Sequence, residues 1–122
     1  MLQKMSKINY QIIKNLEDFL LVKKFKKEDS IFYNGLSNKK DLPKVNELLN
    51  ISIHEFISKI NIGATDTDLQ LIIKTGLNRF NDLNLDTEDR ERLCMYYQEI
   101  MDMVNLESSN GIINNWLYGF DI

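Results

Sequence analysis

The chain has 122 residues, 43% of them hydrophobic and 27% charged, with a formal net charge of -3. That length fits one domain, residues 1–122, which buries roughly two-thirds of the surface its unfolded chain exposes and needs no metal or disulfide to do so. One cysteine excludes an intramolecular disulfide, no run approaches the roughly 20 apolar residues of a membrane helix, and the acidic balance gives no electrostatic reason to expect nucleic-acid binding.

The mean charge hides a split. Residues 1–40 hold nine Lys and four acids, 9 − 4 = +5, whereas residues 41–122 hold six Lys or Arg and fourteen acids, 6 − 14 = −8. An ordinary solvated surface accounts for this, and so does an acidic face that meets a basic partner. Residues 1–8 mix polar and apolar groups with no apolar run behind them, so no signal peptide is read and a cytoplasmic location is expected. Twelve Lys against three Arg, with abundant Ile and Asn, has the look of an AT-rich bacterial coding sequence.

Five helices and no strand are predicted. The first covers about Ile8 to Lys27, with Ile12, Leu16, Phe19 and Leu20 on one stripe that Lys23 interrupts. Lys23, Lys24, Lys26 and Lys27 then fall in its last turn, where positive charge suits the helix dipole. A connector follows from about Glu28 to Asp41, with a turn at Asn34-Gly35. Its apolar Ile31, Phe32, Tyr33 and Leu36 are expected to fold back onto the core.

The second helix covers about Leu42 to Ile62, with Pro43 in its first turn and Gly63 as its stop. Val45, Leu48, Leu49, Ile53, Phe56, Ile57 and Ile60 form its inner face. Thr65 caps the third helix, with Asp66 and Asp68 at its positive end and Leu69, Ile72, Ile73, Leu77 and Phe80 facing inward. Gly76 lies inside that face at a cost of up to about 1 kcal/mol against Ala, which a close helix crossing would explain. The fourth helix starts at Asp86 or Thr87, carries Glu88, Asp89 and Glu91 early, and buries Leu93, Tyr96, Tyr97, Ile100 and Val104. The fifth is short, from about Ser109 to Tyr118, anchored by Ile112, Ile113, Trp116 and Leu117 and ended by Gly119.

Candidate chemistry is sparse. His54, the single histidine, sits one residue off an apolar stripe and reads as a surface or half-buried residue. Cys94 beside Leu93 reads as a small buried hydrophobe, and no motif supports a Cys–His nucleophile. Asp82, Asn84 and Asp86 imitate a calcium loop, but Thr87 stands where Gly is needed and Leu93 where Glu is needed. Asp66/Asp68 and Glu88/Asp89 lie at helix starts, where capping explains them without acid–base catalysis. Tyr96, Tyr97, Trp116, Tyr118 and Phe120 cluster late in the chain; core packing accounts for most of them, with Phe120 and Ile122 the candidates for exposure. No catalytic residue, metal or cofactor is expected.

Four stretches resemble a known family when taken together: Phe32-Tyr33-Asn34-Gly35-Leu36, Gly76-Leu77-Asn78-Arg79-Phe80-Asn81, Leu85-Asp86-Thr87-Glu88-Asp89-Arg90-Glu91 and Asn114-Asn115-Trp116-Leu117-Tyr118-Gly119. The pattern is similar to small bacterial proteins grouped as domain of unknown function 4844, over about Phe19 to Gly119. The resemblance implies a compact helical domain and carries no activity with it. Asn78 and Arg79 stand apart, between the apolar Leu77 and Phe80 at a helix edge; an Arg there either binds a partner carboxylate or caps the loop from Asp82 to Asp86, the second being the simpler reading.

Two function classes follow. The first is a non-catalytic interaction domain, in its sharpest form an immunity-type protein that neutralises a basic bacterial toxin, since an acidic surface speeds association with a basic partner. Its partner-binding candidates are Glu88, Asp89, Glu91 and Arg79. The second is a small-ligand-binding protein or enzyme with a site between helices.

Overall fold

Local capping sets most of the helix ends. A computed structural model of the chain describes residues 7–119. Within them lie five α-helices and no strand: α1 (Lys7–Leu20), α2 (Leu42–Ile62), α3 (Asp66–Asn78), α4 (Thr87–Met103) and the short α5 (Ile112–Tyr118). Thr65 and Asp68 form a reciprocal capping box at α3, each side chain taking the other's backbone N–H. Asp86 caps α4 by accepting from the Asp89 N–H at 2.8 Å. Gly63 and Gly119, both at positive φ, end α2 and α5. Phe120 and Ile122 lie outside the described residues.

Two ends differ from expectation. The first helix stops at Leu20 rather than Lys27: the Leu21 and Val22 N–H groups tighten onto the Asp18 and Phe19 carbonyls, and the chain then passes through Phe25 in a left-handed conformation (φ 63°). The predicted run of dipole-facing lysines is therefore outside the helix, and one of them does the capping. Lys24 is buried, and its ammonium donates to the Phe19 carbonyl at 2.7 Å, the Val22 carbonyl at 3.0 Å and Asn50 Oδ1 at 3.2 Å. Desolvation lowers its pKa from 10.5 to about 8. The last helix begins at Ile112, three residues after Ser109, because Asn110 and Gly111 are both left-handed; Ser109 Oγ still accepts the Ile113 N–H.

The helices pack as a bundle in which α2 lies between α1 and α3, α4 crosses α1, and α5 closes against α3 and α4. Leu16, Val45, Leu49, Ile53, Phe56, Ile73, Leu93, Tyr97 and Ile100 fill its centre. Gly76 sits where α3 crosses α2 and α4. A Cβ there would collide with Ser52 Oγ and Tyr97 Oη, two buried hydroxyls joined by a 2.8 Å hydrogen bond. The expected close crossing is thus a notch for a buried polar pair, in which each hydroxyl has the other as a partner.

Candidate interaction surface

The connector between α1 and α2 is pinned to α4 by the Phe25 N–H on Tyr96 Oη at 2.7 Å and at both ends of one turn. Glu28 and Tyr33 exchange both backbone hydrogen bonds, at 2.9 and 3.0 Å, closing a tight turn over a single 3-10 turn at Asp29–Ile31. From one end of that turn the Glu28 carboxylate takes the Arg92 guanidinium at 2.7 Å, and Arg92 lies 3.9 Å from the Tyr96 ring centroid. From the other end Tyr33 Oη donates to Asp89 Oδ1 at 2.7 Å, while Ser37 donates to Asp89 Oδ2 from its backbone N–H at 3.2 Å and its hydroxyl at 2.7 Å. Burial, reinforced by Asp89, pushes the Tyr33 phenol far above its ordinary pKa.

Between those pins the turn presents Phe32 to solvent. Its side chain is 90% exposed, on a left-handed backbone with φ 55°. The expectation that all four apolar residues of this connector fold inward holds for Tyr33 and Leu36 and in part for Ile31, and fails for Phe32. Three consecutive apolar residues in a tight turn cannot all face one side, and that geometric limit was the signal available in the sequence.

Helix α4 lies alongside. Its outward stripe runs Glu88, Glu91, Met95, Glu99 and Asp102, at three- and four-residue steps. Glu88, Glu91, Glu99 and Asp102 make no ion pair among the described residues. A shallow depression of about 150 Å³ lies between the turn and the helix, lined by Phe32, Glu88, Glu91 and Met95 among others. Farther along α4 a larger open cleft of about 700 Å³ sets Lys23, Lys26 and Lys27 opposite Glu99 and Asp102. Desolvation at its wall raises the Glu99 pKa.

The four sequence candidates separate. Glu88 and Glu91 are exposed on this face. Asp89 is not available to a partner: it is 1% exposed and its oxygens are engaged by Tyr33 and Ser37. An α-helix turns the residue between two exposed positions inward, and a buried phenol and hydroxyl wait there. Arg79 neither caps the loop from Asp82 to Asp86 nor stands free for a partner. Its guanidinium grips Glu55 of α2 through two parallel bonds of 2.7 and 3.0 Å, tying α2 to the end of α3.

The remaining candidates lie apart from this face. Asp86 is committed to the α4 cap, while Leu83 and Leu85 pack against the core, so residues 82–86 form a connector. His54 is exposed on α2, whereas Cys94 is buried and its thiol is pushed up to about 12 by desolvation, a poor nucleophile. No cluster of three His, Cys, Asp or Glu positioned for a metal occurs among the described residues. No described helix is long and apolar enough to cross a membrane.

Residues 7–121 match the family described as domain of unknown function (DUF4844). The chain belongs to that family. A solved crystal structure, that of a DUF3571 family protein from Acinetobacter baumannii AYE, is similar to it with a TM-score of 0.85 and 30% sequence identity, over 93% of this chain and 94% of that one. Comparison with curated proteins finds no match. In the DUF4844 chain the four stretches that carried the resemblance fall at the Phe32 turn, the end of α3, the start of α4 and α5.

Proposed function

We propose that this chain is a non-catalytic protein-binding domain that meets a basic partner through the Phe32 turn and the outward stripe of α4. Phe32 carries the reading. Leaving a phenylalanine in water forgoes about 1.5–3 kcal/mol of burial, and a left-handed backbone at a residue with a Cβ costs about 1–2 kcal/mol more. The turn that imposes both is held by buried side chains rather than left loose, so the ring is displayed on a firm support. A partner pocket that closes over it recovers the burial. Glu88 and Glu91 border the ring and lack cations of their own, which favours a partner with Lys or Arg around an apolar pocket.

The sharpest form of this reading is an immunity-type protein that neutralises a basic toxin, acting in the cytoplasm. A toxin encoded directly upstream is the first partner to try. The test is affinity capture from lysate of the source cell with the wild-type chain, Phe32→Ser and the double variant Glu88→Lys/Glu91→Lys. A basic protein held by the wild type, lost from Phe32→Ser and captured more slowly by the double variant is expected. Equal retention by all three chains overturns the assignment of this face. Circular dichroism verifies that the variants, all at exposed positions, remain folded.

A further inference from the structure

Away from the Phe32 turn, α3, the residues just after it and α5 line a second kind of site. It is a cleft of about 440 Å³, within the range of small-molecule pockets. Its polar lining is three asparagines, Asn78, Asn81 and Asn115, with Lys74; the Trp116 indole forms a wall, Ile112 adds apolar surface, and the buried Leu77 lies beneath. Two of the sequence stretches noted at the outset, separated by more than thirty residues, meet here (Asn78 and Asn81 from one, Asn115 and Trp116 from the other).

The indole is fixed before any ligand arrives. Its Nε1–H donates to Asn81 Oδ1 at 2.8 Å, the Arg90 guanidinium lies 4.6 Å from its ring centroid, and Arg90 also donates to the Trp116 and Leu117 carbonyls. A held aromatic wall loses little freedom when it binds. The amides are only partly used. Asn81 Nδ2 donates to Asn78 Oδ1 at 3.4 Å, which leaves Asn78 Nδ2 and the whole Asn115 carboxamide without a partner among the described residues. The Asn115 carboxamide thus keeps a donor and an acceptor side by side, and Asn78 keeps a donor. A hydroxyl is likewise both, so neighbouring hydroxyls on a sugar ring match such an amide, and the C–H face of the ring suits the indole and Ile112.

Charge narrows the ligand further. Lys74 lines the cleft and no carboxylate does, although acids outnumber basic residues fourteen to six over 41–122. One cation matches one carboxylate, whereas a phosphorylated ligand would call for more positive charge than is present. We propose that the α3–α5 cleft binds a hexose-sized saccharide that carries a carboxylate. The amides and indole take the ring, and Lys74 takes the acid group.

Trp116 is the chain's single tryptophan, so its emission reports on this cleft alone. The experiment titrates the full chain with sodium glucuronate, and with glucose at matched salt, following Trp116 fluorescence and side-chain amide shifts of Asn78 and Asn115. Saturation by glucuronate with a dissociation constant on the order of 1 mM is expected, the affinity that about thirteen non-hydrogen atoms support. Asn115→Ala, at an exposed position, should weaken it by at least about tenfold, as the loss of a carboxamide at a preorganised site implies. Lys74→Ala should bring glucuronate down to the level of glucose. Absence of saturation up to about 50 mM, equal binding of glucose by the wild type, or an unchanged isotherm in Asn115→Ala overturns the proposal. Phe32→Ser should leave the isotherm intact, so this site and the α4 face fail or succeed independently.

Discussion

Replacing Asp89 by Ala tests whether the turn that displays Phe32 is held from inside. The carboxylate accepts from Tyr33 Oη and Ser37 Oγ, both at 2.7 Å, and from the Ser37 N–H at 3.2 Å. Hydrogen bonds to a charged group contribute about 1.5–3 kcal/mol each, and a buried donor left without a partner costs about 1–3 kcal/mol. Ser37 is exposed and rehydrates when Asp89 is gone; Tyr33, 5% exposed, does not. The Tyr33 loss therefore dominates, and Asp89→Ala should destabilise the fold by about 3–5 kcal/mol. For a chain of this length that lowers Tm by roughly 10–20 °C. Urea denaturation followed by far-UV circular dichroism measures it, with Glu88→Ala and Glu91→Ala as neighbours expected within about 0.5 kcal/mol of wild type. Tyr33→Phe removes the stranded donor, so Asp89→Ala should cost markedly less in that background. Amide exchange should rise over residues 28–37 before it rises in α2 or α3. A loss below about 1 kcal/mol, or one equal to that of Glu88→Ala, refutes the reasoning and returns Asp89 to the exposed face.

Gly76→Ala gains up to about 1 kcal/mol of helix propensity, but its methyl collides with Ser52 Oγ and Tyr97 Oη. Overpacking and disruption of that buried pair together make a net loss of about 2–4 kcal/mol, measurable by denaturation, and Tyr97→Phe should relieve part of it. Equal or greater stability would show that the notch is not tight. Lys24 gives a pH signature of definite sign. Its pKa falls from 10.5 to about 8 on folding, so between those values the unfolded chain holds a proton that the folded chain has released, and this group adds stability as pH rises. The stability of wild type relative to Lys24→Met should therefore improve from about pH 7 to about pH 9, and a flat or falling difference contradicts a desolvated ammonium. Tyr33 and Tyr97 shift the other way. Burial raises both phenols, so the unfolded chain loses its protons first and stability falls once pH exceeds the ordinary value of 10.0. Ultraviolet titration should show these two phenolates appearing together with alkaline unfolding; their ionisation in a chain that is still folded would be the contrary result.

Features written in short-range code were legible in the sequence. Pro43 and Gly63 bracket α2, Thr65 and Asp68 start α3, Asp86 starts α4 and Gly119 ends α5, each acting across four residues or fewer. Apolar spacing placed the inner faces, and the misfit of Gly76 foretold a close crossing. The site was less legible. Glu88, Asp89 and Glu91 look alike in the sequence, yet a rotation of about 100° per residue along α4 turns the middle one into the protein. Which polar groups meet it there depends on a connector more than fifty residues away.

The same holds for Arg79, which reaches Glu55 across 24 positions, for Lys24, which folds back from beyond a helix it was expected to extend, and for Trp116, whose indole finds Asn81 across 35. Helix identity and helix ends follow from the sequence because caps and stripes are local. Partner choice among buried polar groups, and the exposure of Phe32, were decided only by tertiary packing, since a charged or aromatic side chain can be satisfied in many places and the assembled core leaves room for one.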